Sequence, residues 1–331
     1  KTLRFFERSR PGSIERWRLP KLERWFHSRA LLEAVRADVA TGAYRLVHLD
    51  ELLLARLVPP ERAVAVVQHH HKLDTVLYDS LDEGSSLRRS FERWKLRRLE
   101  AESARRYRHH LLCSQDDADT LRTRYGALDC AVVPSGFDPA EFRPSPDGVR
   151  DANRIVFLGS MDYGPNVEAV LRFARESLPR ILAVRPNAVF EIVGGNPTRE
   201  VRALASSAVR VTGRVDSVVP FLERAGALVV PLAIGGGTRL KIVEALALST
   251  PVVSTTIGAQ GLGLAHGQHL LLADTPADFA AATLRLLGDA REAAQLGARG
   301  RSHVHEHFRW EVLGRELVDY WERVAFSGAL S

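Results

Sequence analysis

The segment IGGGTRLKIVEAL, residues 234–246, places two cations where an α-helix should begin. Arg239 and Lys241 follow three glycines and a threonine. The amino end of a helix carries a partial positive charge, which disfavours a nearby cation by roughly 0.3–1 kcal/mol. An anion held between the two side chains would offset that cost, so the pattern predicts an anion site. The alternative is a glycine turn followed by a surface pair between Lys241 and Glu244, worth about 0.2–0.5 kcal/mol.

Three consecutive histidines, His69, His70 and His71, follow the apolar segment AVAVVQ and could bind a metal ion or a substrate. Side chains of consecutive residues point in different directions, so the three histidines are poor joint ligands of one ion. We therefore predict no metal site. Two interpretations remain: one of the histidines contacts a substrate, or the three histidines merely end a strand.

The two cysteines, Cys113 and Cys130, lie in the apolar segments HHLLC and DCAVV. We interpret them as buried thiols of a reducing compartment rather than as a disulfide. The sequence contains no run of 18 apolar residues and no signal-peptide pattern, so we predict a chain that neither spans a membrane nor is secreted. The expected location is the cytoplasm.

The net charge of +6 is concentrated in the first third of the chain. Residues 1–110 contain 23 Lys and Arg against 15 Asp and Glu, whereas the remainder contains 23 against 25. The excess lies in KTLRFFERSRPGSIERWRLPKLERWF and LRRSFERWKLRRLEAESARRYRHH, where arginine alternates with tryptophan and phenylalanine. Three interpretations stay open: a solvated basic helix with docked aromatics, an anionic surface at the inner face of the membrane, and, least favoured, nucleic acid.

Apolar segments alternate with amphipathic ones along most of the chain, which predicts parallel α/β sheets in two doubly wound domains. The predicted strands are 44–49, 63–68, 109–114, 130–133, 154–160, 188–195, 209–213, 227–232, 251–254 and 269–273. The amphipathic segments include 165–184, 215–225, 239–248 and 276–288. The crevice at the carboxyl ends of both sheets is the expected ligand site.

Domain boundaries follow from the irregular segment 134–152, which contains four prolines and reads as a linker. We predict an N-terminal Rossmann-like domain over residues 1–146 and a C-terminal Rossmann-like domain over 147–308. A last helical segment, 309–331, either caps the second domain or crosses back to the first.

Five sequence blocks resemble the family 4 glycosyltransferases, and they follow the order and spacing of that family. The blocks are VPSGFDPAEFRP (133–144), FLGSMDYGPNVEAVLRF (157–173), VFEIVGGNPTREVRAL (189–204), VTGRVDSVVPFLERAGALVVPL (211–232) and GGGTRLKIVEALALSTPVVSTTIGAQGL (235–262). The GGGTRLK and GSMDY.PN blocks are similar to a sub-branch associated with exopolysaccharide or secondary-metabolite glycosylation. The resemblance implies the GT-B fold, in which two Rossmann-like domains face each other across a cleft.

The resemblance implies two candidate catalytic residues. Glu244 matches the second glutamate of the family's Glu-x7-Glu motif, whose carboxylate holds the ribose hydroxyls of the donor nucleotide. His71 matches, by its spacing to DTVLY, a histidine that hydrogen-bonds to the donor sugar near the reacting carbon. Gly236 stands where the first glutamate of the motif is expected, which argues against a direct carboxylate contact to the sugar.

The implied diphosphate site also departs from the family pattern. The usual Arg and Lys positions correspond to Ser160 and about Asn166, so the phosphate charge is expected from Arg239 and Lys241 instead. Backbone N–H groups of the glycine segment would add to it. The full predicted diphosphate set is Gly159, Ser160, Gly235, Gly236, Gly237, Thr238, Arg239 and Lys241. The predicted nucleoside set is Gly213, Arg214, Val215 and Glu244.

The segment LLCSQDDADT offers an Asp117-x-Asp119 pair, as metal-dependent transferases of GT-A fold do. We favour a simpler interpretation, in which Ser114 caps the next helix and the acidic residues occupy its first turn. No metal ligands are therefore assigned.

The implied activity is a retaining, metal-independent transfer of a hexose from a UDP-, GDP- or similar nucleotide sugar to a hydroxyl group. The acceptor would be a polysaccharide, a lipid or a secondary metabolite, and no further cofactor is expected. The alternatives are a GT-B epimerase or phosphorylase and a non-catalytic nucleotide-sugar-binding protein. The family's first strand, glycine-rich loop and helix have no counterpart in residues 1–43, so we expect an incomplete N-terminal domain, either lost or lying before the sequence begins.

Overall fold

The computed structural model describes all residues except 1–2, 13–18, 22, 59–63, 81–86, 146–148 and 328–331. The chain divides into two α/β units. Residues 1–134, 236–238 and 314–331 belong to the first unit, and residues 135–235 and 239–313 belong to the second. The predicted boundary between residues 146 and 147 lies outside the described residues.

The described part of the first unit is built on a parallel sheet. Its strands are β1 (Leu46–Asp50), β2 (Ala65–His70), β3 (His109–Leu112) and β4 (Asp129–Val132), hydrogen-bonded in that order. Its helices are α1 (Glu23–Phe26), α2 (Arg29–Ala40), α3 (Asp74–Ser80), α4 (Leu87–Arg106) and α5 (Gln115–Tyr125). A short 3-10 turn, Leu52–Leu54, follows β1. Apolar side chains from the strands, this turn and α4 form one core cluster, and α5 packs over a second one.

The second unit contains a parallel sheet whose described strands follow the order β10-β9-β8-β5-β6-β7. These strands are β5 (Asp151–Leu158), β6 (Val189–Val193), β7 (Val209–Gly213), β8 (Ala225–Val230), β9 (Val252–Ser254) and β10 (Leu271–Leu272). The helices are α6 (Gly164–Arg172), α7 (Leu178–Val184), α8 (Arg199–Arg202), α9 (Val219–Arg224), α10 (Leu240–Ala247), α11 (Thr256–Ala259), α12 (Pro276–Gly288) and α13 (Ala290–His307). Strand β8 is buried along its whole length, as expected of a central parallel strand with both faces covered.

Each of the ten predicted strands is present among the described residues, with shifts at their ends. Strands β5 and β8 begin earlier than predicted, because Asp151 pairs with Ala225 in the ladder although neither position extends an apolar run. Strand β2 runs two residues further than predicted and includes His69 and His70. Main-chain hydrogen bonds set these ends, and they do not depend on side-chain hydropathy.

The amphipathic segment predicted as one helix over 165–184 is interrupted. Helix α6 passes into a π-helical turn, Phe173–Ser177, before α7 begins. Pro179 lies at the start of α7 and has no N–H group to donate to a carbonyl of the preceding turn. The wider turn therefore occurs where the regular hydrogen-bond ladder cannot continue.

The last helix is α14 (Trp310–Ser327), and its described residues from Gly314 onward belong to the first unit. The Tyr320 hydroxyl lies 3.3 Å from the carbonyl oxygen of His110 and 3.2 Å from that of Asp129. Trp321 Nε1 donates to Nδ1 of His48 at 3.0 Å. These bonds attach the helix to β1, β3 and β4. Within the described residues, no helix is both long and apolar enough to cross a bilayer.

Candidate functional site

Lys241 lies at the centre of a polar cluster in the second unit. It is the second residue of α10, and its Nζ donates to Asn166 Oδ1 at 2.8 Å. Asn166 is buried near the start of α6, and its Nδ2 donates to the carbonyl oxygen of Ser160 at 3.0 Å. The ammonium also lies 4.2 Å from the centroid of the Phe157 ring. The cluster thus joins the carboxyl end of β5 to the amino ends of two helices.

Gly159 allows this close approach. Its φ of 153° is unfavourable for residues with a side chain, and a Cβ there would lie 2.5 Å from Asn166 Nδ2 and 3.1 Å from Lys241 Nζ. Glycine at this position therefore lets the Asn166 amide and the Lys241 ammonium pack directly against the backbone. Ser160 follows it, is exposed, and donates from Oγ to Asp162 at 2.6 Å.

The environment of Lys241 weakens its hold on a proton. Burial first, and then the charge of Arg239, lower the pKa of Lys241 from 10.5 to about 7, although the carboxylate of Glu244 opposes them. An anion bound beside the ammonium would raise this pKa again, because an opposite charge stabilises the protonated form. The chemistry of the cluster therefore suits an anionic ligand that comes close to Nζ.

Arg239 occupies the N-cap position of α10, one residue before the helix begins. Its side chain is buried, and one guanidinium nitrogen donates to the carbonyl oxygen of Ile257 at 3.1 Å. The guanidinium lies against Gly235, where a Cβ would be 2.8 Å from the same nitrogen. The prediction that both cations lie in the first turn holds for Lys241, whereas Arg239 immediately precedes it.

The remainder of the glycine segment, Gly236–Thr238, packs within the first unit. The N–H group of Gly237 donates to Asp117 Oδ2 at 3.2 Å, and the Thr238 hydroxyl donates to the carbonyl oxygen of Cys113 at 3.3 Å. The amide of Gly237 thus has a carboxylate acceptor in this structure, and the approach of the three glycine amides to phosphate stays a prediction.

Gly236 and Gly237 differ in their need for glycine. Gly237 has φ +66°, and a Cβ there would lie 2.2 Å from the carbonyl oxygen of His71. At Gly236 a Cβ would meet only ordinary contacts, 3.6 Å from Lys72 Cβ and 4.0 Å from Asp117 Oδ1. The position that replaces the expected glutamate thus has space for a side chain.

Asp117 has a structural role within the first unit. Ser114 is the N-cap of α5 and accepts the N–H of Asp117, and its hydroxyl donates to Asp117 Oδ2 at 2.9 Å. The capping interpretation of this segment is confirmed. Asp119 lies on the exposed side of α5 and pairs with Arg122.

Glu244 lies three residues after Lys241 on α10 and is partly buried. Burial and the neighbouring Glu141 carboxylate raise its pKa, while Lys241 lowers it. Among the described residues, the Glu244 carboxylate makes no hydrogen bond. A ligand that offers hydroxyl donors would therefore stabilise its ionised form.

The predicted nucleoside residues lie at the carboxyl end of β7. Gly213 has φ +72°, and its carbonyl oxygen accepts the N–H of Gly194 at 3.2 Å. Arg214 is exposed, whereas Val215 packs against the core of the unit. The structure brings this turn beside the Gly194–Gly195 turn that follows β6, which in turn adjoins Gly159.

In the first unit, His71 lies directly after β2, beside the end of β1. His71 Nε2 is 3.0 Å from Asp50 Oδ1, and the same oxygen is 2.9 Å from His69 Nδ1. Cys113, directly after β3, places Sγ 3.5 Å from His69 Nε2 and 3.9 Å from His71 Nδ1. Three neighbouring strand ends thus bring two histidines, a carboxylate and a thiol together.

His70 points to the opposite side of the sheet. It is buried, and its Nε2 lies 3.1 Å from Nδ1 of His110. The prediction that consecutive histidines point in different directions is correct for His70, which points away from His69 and His71. His69 and His71 themselves lie on the same side of the sheet. Burial and the charges of His71 and His48 lower the pKa of His69 to about 4, so this imidazole is neutral at physiological pH.

Sequence reasoning missed Asp50, His69 and Cys113 as members of this cluster. Their signal is positional: Asp50 pairs with His69 in the β1–β2 ladder, and His70 pairs with Leu112, which puts His71 level with Cys113. Polar residues at the ends of three predicted strands would have shown it, once the strand order was known. Burial competes with the charges of His71 and His69 at Asp50, and the net effect lowers the pKa of this carboxyl.

Comparison with known proteins agrees with this architecture. The profile described as Glycosyltransferase Family 4 matches residues 3–141, and the profile described as Glycosyl transferases group 1 matches residues 152–289. The structure of Anabaena Alr3699/HepE in complex with UDP and glucose is similar, with a TM-score of 0.69 and 14% identity. That alignment covers 93% of this chain and 82% of the other, and it shows a shared fold with a GT-B glycosyltransferase.

Two curated relatives have a higher sequence identity to this chain. A GDP-mannose-dependent monoacylated alpha-(1-6)-phosphatidylinositol monomannoside mannosyltransferase of Corynebacterium glutamicum is 29% identical over 56% of this chain. The chain spans only 54% of the length of that relative. A D-inositol 3-phosphate glycosyltransferase of Rhodococcus opacus is 28% identical over 84% of this chain and 67% of its own length. With two parallel-sheet units and both family profiles matched in order, the chain belongs to the family 4 glycosyltransferases.

Proposed function

We propose that this protein transfers a sugar from a nucleoside diphosphate sugar to a hydroxyl acceptor. Family membership supports the reaction class, and the relatives support the donor class, since one is named as GDP-mannose-dependent and another was solved with UDP. The observation that carries the proposal is the Lys241 cluster, in which a cation with a lowered pKa lies against the backbone of Gly159 at the carboxyl end of β5. Such a site favours the diphosphate of a nucleotide sugar.

The residues of the second unit divide the donor between them in this proposal. Lys241 and Arg239 supply charge to the diphosphate, and Gly159, Ser160 and Gly235 lie along it. Glu244 accepts hydrogen bonds from the ribose hydroxyls, which an ionised carboxylate does well because it is acceptor-only. The turn at Gly213, Arg214 and Val215 receives the base. Of the first-unit residues, His71 is proposed to hydrogen-bond to the sugar and Gly236 to lie near the diphosphate, whereas the bond from Thr238 to the carbonyl oxygen of Cys113 favours a structural role for that residue.

Catalysis would then depend on charge stabilisation. As the bond from the sugar to the diphosphate breaks, negative charge develops on the leaving phosphate oxygen. A fixed ammonium in a partly buried site stabilises that charge more than water does, because little reorganisation is needed. We propose a retaining transfer of a hexose on the same face of the sugar, without a requirement for metal.

We further propose that the basic, aromatic part of the first unit contacts anionic lipid at the inner face of the membrane. Leu3 and Phe5 are 79% and 88% exposed, with Arg4 and Arg8 exposed beside them. On α4, Trp94 is 50% exposed, and the Arg98 guanidinium lies 5.6 Å from its ring. Exposed apolar side chains among arginines suit an anionic interface. Of the acceptors considered, this surface favours a lipid, in line with the phosphatidylinositol mannoside named for one relative.

The test of the proposed function is a donor screen followed by a transfer assay. Binding of UDP, GDP, ADP and dTDP to the purified chain identifies the nucleotide, and hydrolysis or transfer from the corresponding nucleotide sugars is then measured by release of nucleoside diphosphate. Tight binding of one diphosphate with release from its sugar supports the proposal. Binding without any release would instead indicate a non-catalytic nucleotide-sugar-binding protein.

A further inference from the structure

The first unit contains a group of metal-binding side chains that includes His71, so the inference that follows rests on the proposed donor-sugar contact of that residue. His69 lies in β2 and His71 directly after it, and the two rings lie together, with their centroids 4.3 Å apart. Cys113 follows the neighbouring parallel strand and is buried, with 3% of its surface exposed. The ligand atoms His69 Nε2, His71 Nδ1 and Cys113 Sγ all lie within 4.8 Å of one another.

The two distances from Cys113 Sγ are close to the edges of a metal tetrahedron. Zinc binds sulfur at about 2.3 Å and imidazole nitrogen at about 2.0–2.1 Å, so a tetrahedral site separates the two ligand atoms by about 3.5 Å. Cys113 Sγ is 3.5 Å from His69 Nε2 and 3.9 Å from His71 Nδ1. Each nitrogen therefore lies within about 0.5 Å of the tetrahedral distance from the sulfur, and all three atoms lie within 4.8 Å of one another.

Asp50 directs both imidazoles toward the thiol. Its Oδ1 accepts a hydrogen bond from His69 Nδ1 at 2.9 Å and from His71 Nε2 at 3.0 Å. An ionised carboxylate can only accept, so the nitrogen of each ring that faces Asp50 is the one that carries a proton. The lone pairs of His69 Nε2 and His71 Nδ1 consequently face Cys113. A carboxylate that holds the outer nitrogen of a ligating histidine is a regular feature of zinc sites.

A second grouping, His48 with Asp50 and His69, is less suited to a metal ion. The indole nitrogen of Trp321 can only donate, so Nδ1 of His48 accepts its hydrogen bond at 3.0 Å. The proton of a neutral His48 ring is then on Nε2, the atom that faces His69 and Asp50. That nitrogen has no lone pair to offer.

We propose that His69 Nε2, His71 Nδ1 and Cys113 Sγ form a binding site for Zn²⁺ or an ion of the same class. Two imidazoles and a thiolate are the ligand types that zinc prefers, and His71, with 41% of its side chain exposed, leaves a route for the ion and a fourth position for water. Binding releases the proton of the Cys113 thiol, because the thiolate is the ligand. The bound ion would occupy Nδ1 of His71, so it would regulate the donor-sugar contact rather than serve the reaction.

Cobalt is the probe for the test, because Co²⁺ takes the same ligands and reports a thiolate bond by a charge-transfer band in the near ultraviolet. The full chain is treated with chelator, exchanged into metal-free buffer and titrated with Co²⁺, and Zn²⁺ is then added to displace it. We expect one Co²⁺ per chain, a charge-transfer band, visible bands of tetrahedral intensity, and loss of all of them with one equivalent of Zn²⁺.

Three variants assign the ligands. Cys113→Ser should lose the charge-transfer band, whereas Cys130→Ser, the matched control with the other buried cysteine, should retain it. Asp50→Asn changes an exposed side chain and keeps its size, so folding should be preserved while metal affinity falls by about 10–100-fold. A folded wild-type chain without the band, a band that survives in Cys113→Ser, or an Asp50→Asn variant with wild-type affinity would each overturn the proposal.

Discussion

Lys241 Nζ donates to Asn166 Oδ1 at 2.8 Å, so a cation at the start of α10 meets an amide at the start of α6. Both helix ends carry partial positive charge, and Arg239 adds a full charge beside Lys241. Positive charge is thus concentrated around the carboxyl end of β5. This concentration is the physical basis of the proposed diphosphate site, and it leads to the first prediction.

Affinity for the donor diphosphate should fall as the pH rises above about 7. The unliganded Lys241 loses its proton with a pKa of about 7, and a bound diphosphate favours the protonated form. Above pH 7, binding must therefore take up a proton, and affinity should drop by up to about tenfold per pH unit. Isothermal titration in buffers of different ionisation enthalpy measures this uptake. A Lys241→Met variant should show none, and a wild type with pH-independent affinity between 7 and 9 would contradict the assignment.

The same lowered pKa affects the unliganded fold with a defined sign. Between about pH 7 and 10.5 the unfolded lysine binds a proton that the folded one does not, so this residue makes stability rise with pH across that window. Below pH 7 both forms are protonated, and the dependence vanishes. Urea unfolding of wild type and Lys241→Met at pH 7 and 9 gives the comparison. Relative to Lys241→Met, the wild type should have a higher free energy of unfolding at pH 9 than at pH 7. A constant difference would mean that Lys241 titrates normally.

Gly237→Ala should destabilise the protein, and Gly236→Ala should not. At Gly237 the left-handed φ costs a residue with a side chain about 1–2 kcal/mol, and the Cβ would also collide with the carbonyl of His71. At Gly236 the added methyl makes ordinary contacts, so the change should stay within about 0.5 kcal/mol. Urea midpoints of the two variants test this directly. Equal effects would show that the backbone geometry assigned to this segment is wrong.

Transfer activity should persist in excess EDTA. The proposed stabilisation of the leaving diphosphate uses Lys241, Arg239 and backbone, and the proposed zinc site would be regulatory. Chelation therefore should leave the rate unchanged or slightly increased, as seen by release of nucleoside diphosphate from the donor. Loss of turnover in EDTA, with recovery on adding Mn²⁺, would show instead that a metal ion supplies the charge.

The chain should bind anionic vesicles more strongly than neutral ones, with affinity decreasing as salt increases, because screening weakens each basic contact. Phe5→Ser should reduce this binding, since Phe5 is 88% exposed among arginines. Val149→Ser is the matched control, since Val149 is 82% exposed in the second unit. Equal partitioning to phosphatidylcholine and phosphatidylserine vesicles would support the interpretation of these segments as solvated basic helices.

The strands and the two cations of the glycine segment could be predicted from the sequence. Contacts that depend on which strands are neighbours, and on the register between them, could not. Buried runs such as ALVVPL are visible because hydrophobic burial on both faces of a parallel strand has a simple pattern. The bond from Gly237 to Asp117 joins residues 120 positions apart, and no local pattern indicates it. The group of Asp50, His69 and Cys113 depends in the same way on which strands are neighbours and on their register.

Arg239 illustrates a second limit of prediction from the sequence, which does not show whether a side chain is also buried. Its position before a helix predicted an anion contact, but the side chain is also buried and donates to Ile257. A substitution there would remove both a ligand charge and a structural hydrogen bond, so loss of binding in Arg239→Ala could not be assigned to one cause. Lys241 is the better residue for a decisive measurement, because its partner Asn166 stays bonded to Ser160 when the lysine is removed.

The central claim is that Lys241 holds the donor diphosphate, and differential binding to Lys241→Met tests it most directly. Losing a hydrogen bond to a charged group costs roughly 1.5–3 kcal/mol, so affinity for the preferred nucleoside diphosphate should fall by about 10- to 150-fold at pH 6.5. Affinity for the corresponding nucleoside should not change, and Arg291→Ala, an exposed cation on α13, should bind both as wild type does. Wild-type diphosphate affinity in Lys241→Met, or equal losses for nucleoside and diphosphate, would contradict the account.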